Sequence, residues 1–145
     1  MENRCFYLHP DLHYSSGVQL VGEFVMTDRE LLELAAKAVG YDTSHHWNAE
    51  RMQMCPPVIG LCIPGVHSCW NPLEDSGNAL DMAVSLRLKV SFGDHIVVVS
   101  DGSEDGYCTA FTIEELEPDE RVATRRAIVC AAAQLGMVRN NPVSF

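Results

Sequence analysis

Basic side chains are scarce in this chain: 10 Lys and Arg stand against 20 Asp and Glu, for a formal net charge of −10. A protein that grips a phosphate backbone shows a basic patch or stripe. The densest basic group here, Arg121 with Arg125 and Arg126, follows a run of acids. Direct nucleic-acid binding is therefore not expected, and the same repulsion disfavours anionic membrane surfaces. Long apolar runs are missing too, none approaching the roughly 20 residues that span a bilayer. Met1-Glu2-Asn3-Arg4 is not followed by the apolar stretch of a signal peptide, and there is no Asn-X-Ser/Thr sequon. These absences lead us to expect a cytoplasmic protein whose six cysteines (Cys5, Cys55, Cys62, Cys69, Cys108 and Cys130) are reduced.

Several chemical motifs are absent as well. Gly60 and Gly65 have the spacing of a phosphate-binding loop, but Val66-His67 stands where Lys and Ser/Thr would reach phosphate and magnesium. No G-x-G-x-x-G opens a dinucleotide fold. Cys55, Cys62, His67 and Cys69 gather thiols and an imidazole in one stretch, but they lack the tight Cys-x₂₋₄-Cys knuckle of a structural zinc site, so no metal is expected. No cofactor is expected either. Cys69 or Cys108 with a histidine could form a nucleophile pair only through tertiary placement, and no residue is assigned as catalytic.

What is present supports one globular domain. With 145 residues, 47% of them hydrophobic, the chain can bury about two-thirds of its unfolded surface without staples. Thr27-Asp28-Arg29-Glu30 has the capping-box form, Leu31, Leu34, Ala35 and Ala38 recur at helical spacing, and Gly40 stops the run, predicting a helix over 28–39. Residues 41–57 read as a loop carrying His45-His46-Trp47, 58–63 as a strand, and 66–75 as a second loop. A further helix is predicted from Asp75 or Ser76, with Ala79, Leu80, Ala83, Val84 and Leu86 as its buried face. Residues 87–92 and 95–100 read as a hairpin turning at Gly93-Asp94, followed by a strand over 107–112. A last helix starts near Pro118, and Gly136 is its expected stop. Cys130, in an Ala-rich stretch, reads as a small core residue. Residues 1–25 read as an extension or an edge strand, and 26–145 as the domain. The expected class is α+β, with a small antiparallel or mixed sheet and helices packed on it.

Trp70-Asn71-Pro72-Leu73-Glu74-Asp75-Ser76-Gly77-Asn78-Ala79-Leu80 is the most distinctive string. A loop running into a helix explains it, with Asp75 or Ser76 as cap. A pocket lined by Trp70, Asn71, Asp75, Ser76 and Asn78 is the functional alternative, and His45, His46 and Trp47 form a second candidate ligand site. Trp70-Asn71-Pro72 with Asp75, Gly77, Ala79-Leu80 and Ala83-Val84, together with the segments 26–38 and 123–129, resembles the phage ABA-sandwich domain family. The resemblance implies a bacteriophage or prophage protein with an α-β-α layered sandwich, working inside the bacterial host cell, and it implies no activity.

The leading expectation is a non-enzymatic accessory protein that binds a host protein, for instance to inhibit a host defence system. Asp101, Glu104, Asp105, Glu114, Glu115 and Glu117 would meet a basic surface. The alternatives are a small-molecule-sequestering module with its pocket at Trp70-Asn71, and an enzyme using Cys and His. A homo-oligomer is compatible with each.

Overall fold

Thr27 opens the first helix as its sequence requires. In the computed structural model its hydroxyl accepts from the Glu30 N–H at 3.2 Å, while the Glu30 carboxylate accepts from the Thr27 N–H at 2.9 Å. The structure describes residues 3–8, 22–101, 108–112 and 119–140, with side chains described for 26–101 and 119–137. In chain order these form β1 (Asn3–Leu8), β2 (Gly22–Met26), α1 (Asp28–Val39), α2 (His46–Gln53), β3 (Leu61–Ile63), β4 (His67–Trp70), α3 (Ser76–Ser85), β5 (Lys89–Gly93), β6 (Ile96–Ser100), β7 (Cys108–Thr112) and α4 (Glu120–Asn140).

Five strands form a sheet in the order β2-β1-β7-β6-β5, with every neighbouring pair antiparallel. β3 and β4 form a separate hairpin whose register shifts between Leu61 and Ile63. In β6, Val97 and Val99 are buried while Ile96, Val98 and Ser100 are only partly so, the period of two that marks one face against the core.

α4 is the centre of the molecule. It packs against β6 and β7 on one side and against α1 and α3 elsewhere. Every residue from Ala127 to Gln134 is buried, as required of a helix with neighbours all round. Alanines dominate that stretch because small side chains let the neighbours approach. The core joins Leu31, Leu32 and Ala35 of α1, Leu61 and Ile63 of β3, Trp70, Met82 of α3, and Val97 and Val99 of β6. The fold is therefore α+β, an antiparallel sheet with helices packed against it.

Six expectations need correction. Leu80 and Val84, expected on the buried face of α3, are exposed, and Ala79, Met82 and Ala83 are its buried apolar residues. The 41–57 loop contains a helix, α2. The 66–75 loop contains a strand, β4. The hairpin pairs Gly93 with Ile96, so its turn is Asp94-His95, with His95 at a positive φ of 60°. Gly136 does not stop the last helix, which runs on to Asn140. A Cβ at Gly136 would run into the Leu34 carbonyl oxygen, so glycine serves the close crossing of α4 and α1. Cys130 is buried as expected but disulfide-bonded rather than reduced, and its partner sulfur lies outside the described side chains. Cys55, Cys62 and Cys69 are free. The extension at 1–25 contributes β1 and β2 to the sheet, β1 between two strands and β2 at an edge. The 101–106 turn, apart from Asp101, and the tail beyond 140 lie outside the described residues. Among the described residues no helix is long and apolar enough to cross a membrane.

Candidate functional site

α2 has little apolar periodicity, so tertiary hydrogen bonds must hold it. Asn48, buried on its inner side, donates through Nδ2 to the Cys62 carbonyl at 3.1 Å and to the Thr43 carbonyl at 3.0 Å, and accepts at Oδ1 from the Cys62 N–H at 2.7 Å. Cys62 sits where the β3–β4 register shifts, and the Asn48 amide takes both of its backbone groups as a neighbouring strand would. Arg29 reaches across from α1. Its guanidinium donates to the Asn48 and Ile59 carbonyls and pairs with Glu33 at 3.2 Å, which satisfies a cation that is 6% exposed. Arg51 ties the far end, donating to Gly60 O at 3.2 Å and Ser68 O at 2.7 Å.

On the outer side of this clamped helix stand aromatic and thioether side chains. His45 caps α2, its Nδ1 accepting from the Trp47 N–H at 3.2 Å. The His45 and His46 rings stack at 4.4 Å, Trp47 meets His45 edge-on at 5.0 Å, and Arg51 lies 5.9 Å from the Trp47 ring centre. Trp47 is 45% exposed and Met54 52%, with Met52 and Val58 exposed beside them in sequence. The loop leading into α2 is tied by Ser44, whose hydroxyl and then backbone N–H donate to Asp42 and hold its carboxyl below the usual carboxylate range, with His45 adding to the effect.

The Trp70–Asn78 string divides between structure and a cleft. Trp70 is core, fully buried with its ring edge-on to Tyr41 at 5.6 Å, and it does not line the cleft beside Asn71. Asp75 is the N-cap of α3, accepting from the Asn78 N–H at 2.9 Å, and Asn78 is buried. Ser76 accepts from Arg125 Nη1 at 3.0 Å, while Arg125 Nε donates to Leu73 O at 2.9 Å. Asn71 lines a cleft of ≈ 230 Å³ with Asp28, Ile59, Leu73, Glu74, Val122, Arg125 and Arg126. Asp28 Oδ1 is buried without a hydrogen-bond partner. This lining holds acids, an amide and guanidinium groups, which can bind a small polar molecule, and among the described residues it carries no Ser, Thr, Cys or His nucleophile.

The acidic candidates are mostly out of view. Asp101 is half-buried, whereas Glu104, Asp105, Glu114, Glu115 and Glu117 lie outside the described residues. Sequence reasoning missed Arg29, Asn48 and Arg51. Arg29 carried one signal, because a cation in the first turn opposes the helix dipole and needs some other partner.

No protein-family model matches the chain, and neither a curated protein nor a solved structure matches it.

Proposed function

We propose that this chain is a non-enzymatic binding protein of bacteriophage or prophage origin that docks a host protein on the outer face of α2. The observation that carries the proposal is a short polar helix fixed from behind by Asn48 and Arg29 and tied at its far end by Arg51, while Trp47 and Met54 stand exposed in front. Trp, Met and Arg are the residue types enriched in protein interfaces, and anchors held in advance lose little entropy on binding. The phage origin rests on the three sequence blocks over 26–38, 70–84 and 123–129. The net charge of −10 favours encounter with a basic partner over a long range. The test is affinity capture from bacterial cells with the parent chain and with a Trp47→Ala, Met54→Ala variant. The parent retains a discrete host protein that the variant loses while its circular dichroism is unchanged. Equal capture by both refutes the surface.

A second reading, a sequestered small polar ligand, is favoured by the cleft beside Asn71, whose lining includes Asp28, a residue with a buried Oδ1 that lacks a hydrogen-bond partner. Native mass spectrometry of gently purified protein checks it. A bound mass that Asp28→Asn releases supports it, and a bare chain mass counts against it.

A further inference from the structure

We infer that the outer edge of β5 is a self-association surface, on which a second copy of this chain pairs antiparallel to form one sheet through both copies. This inference is independent of the α2 reading, since it uses the opposite set of elements and a different partner.

β5 ends the sheet, and among the described residues no strand pairs with its outer side. Natural sheet edges are blunted by proline, bulges, lysines or inward charges. β5 carries one of these, Lys89 at its start, and beyond it the strand holds no proline or bulge and pairs with β6 through five successive residues without a register shift. Its side chains also continue the core face outward. Phe92 lies opposite Val97 and Val90 opposite Val99, so both project from the side that α4 covers further in. α4 does not reach Phe92, which is 70% exposed. Between Phe92, α3 and the first turns of α4 lies an open groove of ≈ 390 Å³ that includes Ala79, Leu80 and Ile128. Leu80 and Val84, one helical turn apart on α3, are 63% and 64% exposed. An apolar patch of this kind beside an unpaired edge marks an interaction surface.

Its charges fit a second copy. A two-fold axis through Ser91 sets Phe92 of one copy opposite Val90 of the other, and Lys89 opposite Gly93, next to Asp94. β5 is thus positive at its start and negative just past its end, and reversing a copy brings the unlike ends together. Neither Lys89 nor Asp94 has an ion-pair partner within the chain among the described residues. The contact is isologous and closes at two chains. It covers Phe92 and the groove that Leu80 shares with it in both copies at once.

Sedimentation velocity of the full chain across a concentration series tests this. The expected result is a species of twice the 16.0 kDa chain mass that dissociates on dilution. Phe92→Asp yields monomer with unchanged circular dichroism, the exposure of Phe92 making the substitution harmless to folding. Lys89→Glu sets like charges at both ends of the paired strands and weakens association roughly tenfold, and adding Asp94→Lys restores it by exchanging the signs. Monomer at every concentration overturns the inference. So does a dimer that neither Phe92→Asp nor Lys89→Glu weakens, since the contact then lies elsewhere.

Discussion

Replacing Asn48 with Ala removes the bracket between α2 and β3, and its cost follows from the bonds it makes. Three hydrogen bonds disappear, and the Cys62 N–H and C=O lose their partner inside a buried stretch, Cys62 being 5% exposed. An unsatisfied buried group costs about 1–3 kcal/mol. The two Cys62 groups together set the expected loss at about 2–6 kcal/mol, since water reaches the part-buried Thr43 carbonyl. Against a typical total of roughly 5–15 kcal/mol this is large. Urea unfolding reads it: with a slope of about 2 kcal/mol per molar, the midpoint falls by roughly 1–3 M at unchanged slope. Glu50→Ala, on an exposed position of the same helix, is the control and leaves the midpoint in place. The loosened helix also frees Trp47, so native-state fluorescence changes in Asn48→Ala alone. A loss below about 1 kcal/mol refutes the reasoning, because it means the Cys62 groups find other partners.

Three further predictions follow from packing and charge. Gly136→Ala raises helix propensity by about 1 kcal/mol but drives a methyl group into the Leu34 carbonyl, so thermal unfolding shows a net destabilisation of about 1–3 kcal/mol instead of a gain. Gln134 is buried in α4 with neither side-chain atom hydrogen-bonded, so Gln134→Met, of similar shape, raises stability by about 1–3 kcal/mol in the same melt. The Asp42 carboxyl, held ionised by Ser44, titrates by NMR below an ordinary aspartate. Because its folded value is depressed, its small contribution to stability is present above the unfolded value and is lost as pH falls through the folded one, and Ser44→Ala moves the titration upward.

The parts legible in the sequence are those specified by neighbouring residues. The capping box at Thr27 and Glu30 and the glycine at the end fixed α1 to its bounds. The alternation in 87–100 located β5 and β6, although the turn lay one residue further on because His95 adopts the positive φ. α2 was illegible for the opposite reason. His-Trp-Asn-Ala-Glu-Arg-Met-Gln has no apolar stripe, and what holds it comes from Arg29, Gly60, Cys62 and Ser68, all distant in sequence. β4 hid behind the polar run His67-Ser68-Cys69. Gly136 misled because a glycine that admits a neighbouring helix looks like one that ends its own. Of the candidate site, Asn71 was placed at a cleft, but Asp28, Arg125 and Arg126 reach it from separate segments. Trp70, the most conspicuous residue of its string, belongs to the core.

Under the proposed function, α2 presents a prepared face to a partner protein. Its most direct test is a photo-crosslinking amino acid placed at position 47 of the full chain in bacterial cells, compared with the same group at Lys37, an exposed position on α1. Docking on α2 gives one discrete protein adduct from position 47 and none of that mass from position 37. No adduct at position 47, or the same adducts from both positions, contradicts it.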